Sequence, residues 1–367
     1  MCHLTQWLFF FTYSQKPVHK IKKELQYARK EKVMMDDKLE EIVAKYSITV
    51  KSKKRSRGAL LLETDLGLCL LKIYNSNIKR IEFEENVKNA LLQSGYQNVD
   101  YIIKNVDGEF VTKDNRGNSW ILKRWYYGEE CDTKDILKVS AAAKNLAVIH
   151  NSMILGGEYN NILFKRKENT AEDVFEKRNR EMKRVRSYIK SKKQKNQMEL
   201  LLMKSYGFFC EQGIQAQKII VGNNDYDIEQ IAKQQGRVAH GSYNYHNIII
   251  NGNSIAVTNF DKAAVGLQIS DLADFLRKIM EKNNWDVEFG RKIIESYQSE
   301  RRLQTEERKI LYAMIMFPEK YWKIANYYYN SRKAWMSAKN YEKLKRICEQ
   351  EENRKKFIDE LQRILEV

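Results

Sequence analysis

Proline is nearly absent: Pro17 and Pro318 are the only two in 367 residues, beside 16 glycines. That is poor punctuation for an all-β protein, which needs many tight turns, and it favours long helices. Cysteine occurs five times, at Cys2, Cys69, Cys131, Cys210 and Cys348. The five are far apart, odd in number, and show no CxxC or Cys/His spacing. They exclude a disulfide framework and a zinc site and read as free thiols in a reducing compartment. No apolar run reaches the roughly 18 residues that a membrane span requires. The nearest is "LTQWLFFFTY", Leu4 to Tyr13, which lacks the basic flank and small-residue cleavage site of a signal peptide. Acidic residues are in deficit: 48 Asp and Glu stand against 65 Lys and Arg, a formal net charge of +17. Such a balance suits anionic partners, such as phosphates, nucleic acid or a polyanionic matrix, with plain solubility as the alternative.

What is present is enough apolar material, 43% of residues, for one large or two moderate domains. "MMDDKLEEIVAKY", Met34 to Tyr46, has an acidic first turn and Leu39, Ile42 and Val43 at helical spacing, and looks like a natural beginning. The residues before it are expected to be a poorly packed upstream extension. Three β-prone runs follow: "YSITV" at 46–50, "GALLLET" at 58–64 and "GLCLLKIY" at 67–74. A basic turn, "KSKKRSRG", separates the first two, and a tight turn, "TDLG", the second and third. "IKRIEFEENVKNALLQSG" predicts a helix with Ile81, Val87, Leu91 and Leu92 near helical spacing and Gly95 as its C-cap. "GEFVT" and "SWILKRWYY" then predict two more strands around the turn "KDNRGN". The order β-β-β-α-β-β over residues 46–127 is that of the small lobe of a protein-kinase-like fold, and also of many other α+β domains.

Beyond "YYGEECD" the chain reads as helical. Residues 164–195 carry 13 Lys and Arg against 5 Asp and Glu, a net +8. Met182, Val185 and Ile189 give this segment a narrow apolar stripe, so it predicts a solvated helix docked along one edge. It holds few of the interleaved aromatics with which proteins stack on bases, which argues against nucleic acid as its partner. The aromatic-rich "YWKIANYYYNSRKAWMSAKNY" reads as helix packing.

Phosphoryl transfer from a nucleotide is mainly positioning and charge neutralisation. It calls for a strand lysine at the phosphates, a helix carboxylate to hold that lysine, a base for the attacking hydroxyl, and an Asn and an Asp for the metal. Candidates occur in that chain order: Lys72, then Glu85 with Glu84 as alternate, then His240-Gly241-Ser242, then Asn247, then a hairpin delivering Asn259-Phe260-Asp261. Oxygen donors such as those of Asn247 and Asp261 suit Mg²⁺. Asp271 is placed to cap the helix it opens. Each residue alone has an ordinary structural explanation; the ordered set does not.

"HGSYNYHN…TNFD" resembles the HGDxxxxN…DF/WD pattern of aminoglycoside phosphotransferases and choline kinases, and within that group the CotS-type spore coat proteins. The matching residues include "RGALLLETDLG", "LLKIYNSNIKRIEFEENV", "ILKRWYYGEECD", "LAVIHNS", "TNFDKA" and "DLADFLRKIMEKNNW". The resemblance implies an α+β, two-lobed kinase-like fold: an extension at 1–34, a small antiparallel N-lobe with one helix at 35–127, and a mainly helical C-lobe at 128–367 that carries the basic insertion 164–195. It implies ATP and Mg²⁺ as cofactors, with Lys72, Glu85, Trp125 and Tyr126 at the nucleotide, Trp125 and Tyr126 lying in the hinge "KRWYYG". It puts Asn247 and Asp261 at the metal, and His240 and Ser242 in the catalytic loop. Ser242 departs from the pattern, which has an aspartate there. A serine hydroxyl is not basic near neutral pH, and His246 is the one nearby side chain with the chemistry to replace it. Three functions follow as expectations: a catalytically impaired spore coat protein, an active phosphotransferase acting on a small-molecule or protein hydroxyl, and a basic nucleic-acid-binding module. The first implies synthesis in the mother-cell cytoplasm, incorporation into the coat, and coat proteins or anionic coat material as partners, with no membrane involved.

Overall fold

In the computed structural model the described residues are 39–155, 170–221, 225–331 and 338–367. The expected extension 1–34 and the first residues of the basic insertion, 164–169, lie outside them. The chain divides into two compact units. One runs to Asn75 and adds Ile103–Leu122; the other comprises Ser76–Ile102 and Lys123–Val367.

The smaller unit is an antiparallel sheet on a short helical segment. Its strands are β1 (Val50–Ser56), β2 (Ala59–Thr64) and β3 (Gly67–Ile73). Next come β4 (Ile102–Ile103), on the boundary between the units, then β5 (Thr112–Lys113) and β6 (Ser119–Arg124). The order is β1-β2-β3-β6, with β5 paired to β6. In β2 burial alternates, and Leu60 and Leu62 join Leu39, Ile42, Tyr46, Cys69, Leu71, Trp120 and Leu122 in one apolar cluster. The first strand lies later than the sequence suggests. "KSKKRSRG" is mostly strand, pairing from Ser52↔Glu63 to Ser56↔Ala59, and the turn shrinks to Arg57-Gly58, both at positive φ. The cations of β1 point to solvent along an edge, where charge discourages strand addition by another chain.

The larger unit is helical. It contains α1 (Ile78–Gln93), β7 (Glu129–Glu130), α2 (Ile136–Ser152), α3 (Ala171–Ser191), α4 (Gln197–Val221) and α5 (Asp225–Gln234). Then come β8 (Val238–Ala239), β9 (Ile248–Asn251), β10 (Ser254–Val257) and β11 (Ala264–Val265). The chain closes with α6 (Ile269–Met280), α7 (Val287–Gln298), α8 (Thr305–Met316), α9 (Glu319–Asn330), α10 (Ala338–Glu349) and α11 (Glu351–Leu365). Thr170 and Asp173 form a reciprocal capping box that starts the basic helix α3, whose stripe of Phe175, Met182, Val185 and Ile189 is buried. Strands β9 and β10 form the expected hairpin, and β8 pairs with β11. These two small pairs carry the residues of interest.

Candidate functional site

The loop after β8 is held from three directions. Gly241 adopts φ +69°, and a Cβ there would stand 2.2 Å from the Lys262 carbonyl oxygen, so only glycine fits. Asp271, buried in the first turn of α6, does not cap its own helix. Its carboxylate accepts from the backbone N–H of His240 at 2.5 Å and of Gly241 at 2.8 Å. His150 Nε2 donates to the same carboxylate at 3.2 Å. The Tyr297 hydroxyl, 2.8 Å from His150 Nδ1, accepts in turn from Arg301 at 2.8 Å. This chain of donors assigns His150 as the neutral Nε2–H tautomer. His240 is assigned likewise: Nδ1 accepts from the Ser242 N–H at 3.1 Å, and Nε2 donates to the Thr258 carbonyl at 3.2 Å.

Burial pushes both His150 and His240 below the ordinary imidazole value. A histidine depressed in the folded state binds its proton more readily in the unfolded chain. Stability from these two groups is therefore complete above about pH 6.5 and falls as the pH drops below it. A melting series from neutral to mildly acidic pH should show a falling Tm; a Tm that rises on acidification would contradict these assignments.

Beyond the loop, side-chain amides dominate. Asn247 Nδ2 donates to the Ser242 carbonyl at 2.8 Å and lies 3.3 Å from the Ser242 hydroxyl. Asn244 Nδ2 also donates to that carbonyl at 2.8 Å. Asn247 Oδ1 faces away and accepts from Asn259 Nδ2 at 2.9 Å. Asn259 is left-handed, φ 63° and ψ 60°, a conformation that asparagine tolerates. Asp261 is exposed, and its backbone carbonyl accepts from Arg80 Nε at 2.8 Å. Arg80 also donates to the Ala263 carbonyl at 2.5 Å and so clamps this segment to α1. His246 Nδ1 lies 2.6 Å from Glu130 Oε2 on the surface.

Sequence reasoning missed a buried charge cluster beneath the segment. Lys88 Nζ lies 2.6 Å from Glu84 and 2.9 Å from Glu85, and Lys123 Nζ lies 2.5 Å from Glu84 and 3.2 Å from Asp100. Glu84, Lys88, Asp100 and Lys123 are completely buried. Asp100 Oδ2 accepts the Asn259 N–H at 2.8 Å, which ties the cluster to the loop. Burial alone would raise Glu84, but the Lys123 and Lys88 ammonium groups outweigh it and hold Glu84 far below the usual carboxylate range. For Glu85 burial wins, and its carboxyl is pushed up. A signal was present: Ile81, Glu84, Lys88 and Leu91 lie at i, i+3, i+7 and i+10, so a glutamate and a lysine interrupt the apolar stripe of α1.

The remaining candidates fall as follows. Glu85 is engaged by Lys88 and by the Ile102 N–H, at 3.2 and 3.3 Å from its two oxygens. Lys72 lies on β3 of the smaller unit, half-buried. Trp125 is half-buried, and the Tyr126 hydroxyl donates to the Val99 carbonyl at 2.7 Å, its phenol pushed by burial up to about 12.

A small antiparallel sheet unit, a large helical unit, and an HG-loop followed by an Asn and a short hairpin define the kinase-like phosphotransferase fold. The chain is similar to the aminoglycoside phosphotransferase of Alicyclobacillus acidocaldarius, with 15% identity, a TM-score of 0.79, and 89% of this chain and 96% of that chain covered. It is also similar to a spectinomycin phosphotransferase solved with ADP and spectinomycin, with 13% identity, a TM-score of 0.60, and 86% and 95% covered. A microcompartment-associated aminopropanol kinase matches with 12% identity, a TM-score of 0.57, and 88% and 97% covered. By sequence, the family described as "Spore coat putative kinase YutH" matches residues 39–361, and the chain belongs to that family.

Mg²⁺ takes oxygen ligands, one or two of them usually carboxylates beside phosphate oxygens and water. Here the Asn247 oxygen already accepts an N–H, and the group beside it is an amide. Laid on Asn259-Phe260-Asp261, the DF/WD pattern puts its first aspartate on Asn259. The Asn247–Asn259 pair does not fit the cation as it stands.

Proposed function

We propose that this chain is a spore coat component that keeps a kinase-like fold and the capacity to hold a nucleotide but does not transfer phosphate. The observation that carries this reading is Ser242. Its hydroxyl lies beside the amide nitrogen of Asn247, with the Asn244 amide 3.5 Å away, where the family pattern has a carboxylate. Neither the hydroxyl nor these amides can take a proton from an attacking alcohol near neutral pH. His246, the side chain with the chemistry to replace that base, is turned to Glu130 at 2.6 Å. Losing a general base lowers the rate by roughly 10²–10⁴-fold. On this reading the protein is made in the mother-cell cytoplasm and works in the coat through its surface. Its cationic edge strand β1 and helix α3 face other coat proteins or anionic coat material.

The test is a single-turnover experiment with protein in excess over labelled ATP, run beside a melting curve. ATP should raise the Tm and remain intact. Stoichiometric conversion to ADP would overturn the reading.

A further inference from the structure

The Asn247–Asn259 contact can be followed one step further, resting on the kinase-like reading above. The Asn247 amide cannot rotate freely, because its nitrogen is committed to the Ser242 carbonyl at 2.8 Å. Its oxygen must therefore face residue 259, and that residue must offer a positive group. Asn259 offers an N–H at 2.9 Å. An aspartate at 259 would set a carboxylate against the Asn247 oxygen, an arrangement that costs free energy unless a cation sits between the two. We infer that the Asn259 amide hydrogen replaces a divalent cation here, so that this site is structurally complete without metal and indifferent to Mg²⁺ and Mn²⁺.

The backbone at 259 is fixed independently of the side chain. Asp100 accepts its N–H at 2.8 Å, and Arg80 clamps the carbonyls of Asp261 and Ala263. Aspartate also tolerates the left-handed conformation of this position. Asn259→Asp thus changes the donor at the site while the backbone stays anchored.

The experiment needs no nucleotide. Tm is measured for wild type and Asn259→Asp in EDTA and in Mg²⁺ or Mn²⁺, and Mn²⁺ binding is followed by water-proton relaxation. Wild type should melt at the same temperature in both and show no saturable Mn²⁺ site. Asn259→Asp should melt lower in EDTA, recover with the cation, and show a saturable Mn²⁺ site that wild type lacks. A saturable, stabilising Mn²⁺ site in wild type overturns the inference, and this arm does not depend on whether the variant folds. An Asn259→Asp protein whose Tm is the same with and without cation overturns it too. The two readings fail separately. Turnover by wild type sinks the proposed function and leaves cation indifference standing, whereas a wild-type cation site sinks this inference and leaves the loss of the base at Ser242.

Discussion

Lys123→Met is expected to destabilise the fold by about 3–5 kcal/mol, because it removes one of two buried ammonium groups and leaves Lys88 to neutralise Glu84, Glu85 and Asp100. Lys123 bridges Glu84 at 2.5 Å and Asp100 at 3.2 Å, and all three side chains are fully buried. The penalty comes less from losing an attraction than from leaving the cluster with an uncompensated negative charge in a medium that cannot solvate it. Urea denaturation of wild type and variant measures it. The surface pair Lys138–Glu129, 3.7 Å apart with Glu129 largely exposed, is the natural control; Lys138→Met should change stability by less than about 1 kcal/mol. Equal effects at the two sites would mean that the cluster is solvated. Within the cluster Glu84 sets a pH response opposite in sign to that of the raised Glu85. Since Glu84 is depressed in the folded state, its contribution is complete above the unfolded carboxylate value of about 4.3 and is lost as the pH falls below it.

The second large effect concerns turnover. Ser242→Asp alone restores a base but leaves an amide at 259, where the family pattern has an aspartate, and Asn259→Asp alone does the reverse. Each single variant should stay at the level of the wild type. The double variant Ser242→Asp/Asn259→Asp, assayed in Mg²⁺, should release ADP at a rate roughly 10²–10⁴-fold above it, the span that a general base commonly supplies. Non-additivity of this kind is normal for groups that act as a unit. A large gain from Ser242→Asp alone would show that one group is missing, not two.

Much of the fold was legible because its signals are local. The periodicity of α1, the "TDLG" turn that ends with Gly67 at positive φ, the hairpin β9–β10 and the stripe of α3 all follow from residues close in sequence. The edge strand β1 was misplaced because serines and lysines carry no alternation. Its strand state comes from pairing with β2, which sequence periodicity cannot register. In the site, Ser242 stood out against a pattern, and the spacing argument paired Asn247 with Asp261, whereas the Asn247 amide meets the Ser242 carbonyl on one side and Asn259 on the other. Asp271 looked like a helix cap because nothing in the sequence tells which backbone N–H groups a carboxylate will meet after folding; here they are those of His240 and Gly241. Asp100 and Lys123 belong to one cluster though 23 residues apart, so no local spacing linked them. Asn259 was passed over for its acidic neighbour Asp261, since residue type alone favours the carboxylate and only the geometry shows which of the two side chains meets Asn247.

The most direct measurement is ADP release from Mg·ATP by the wild-type chain, with water and with an amino alcohol as acceptor, beside the double variant in the same buffer. Wild type should match a blank without protein while the double variant rises above it. Acceptor-dependent ADP release by the wild type above the blank would show a working kinase and end the case for an impaired one.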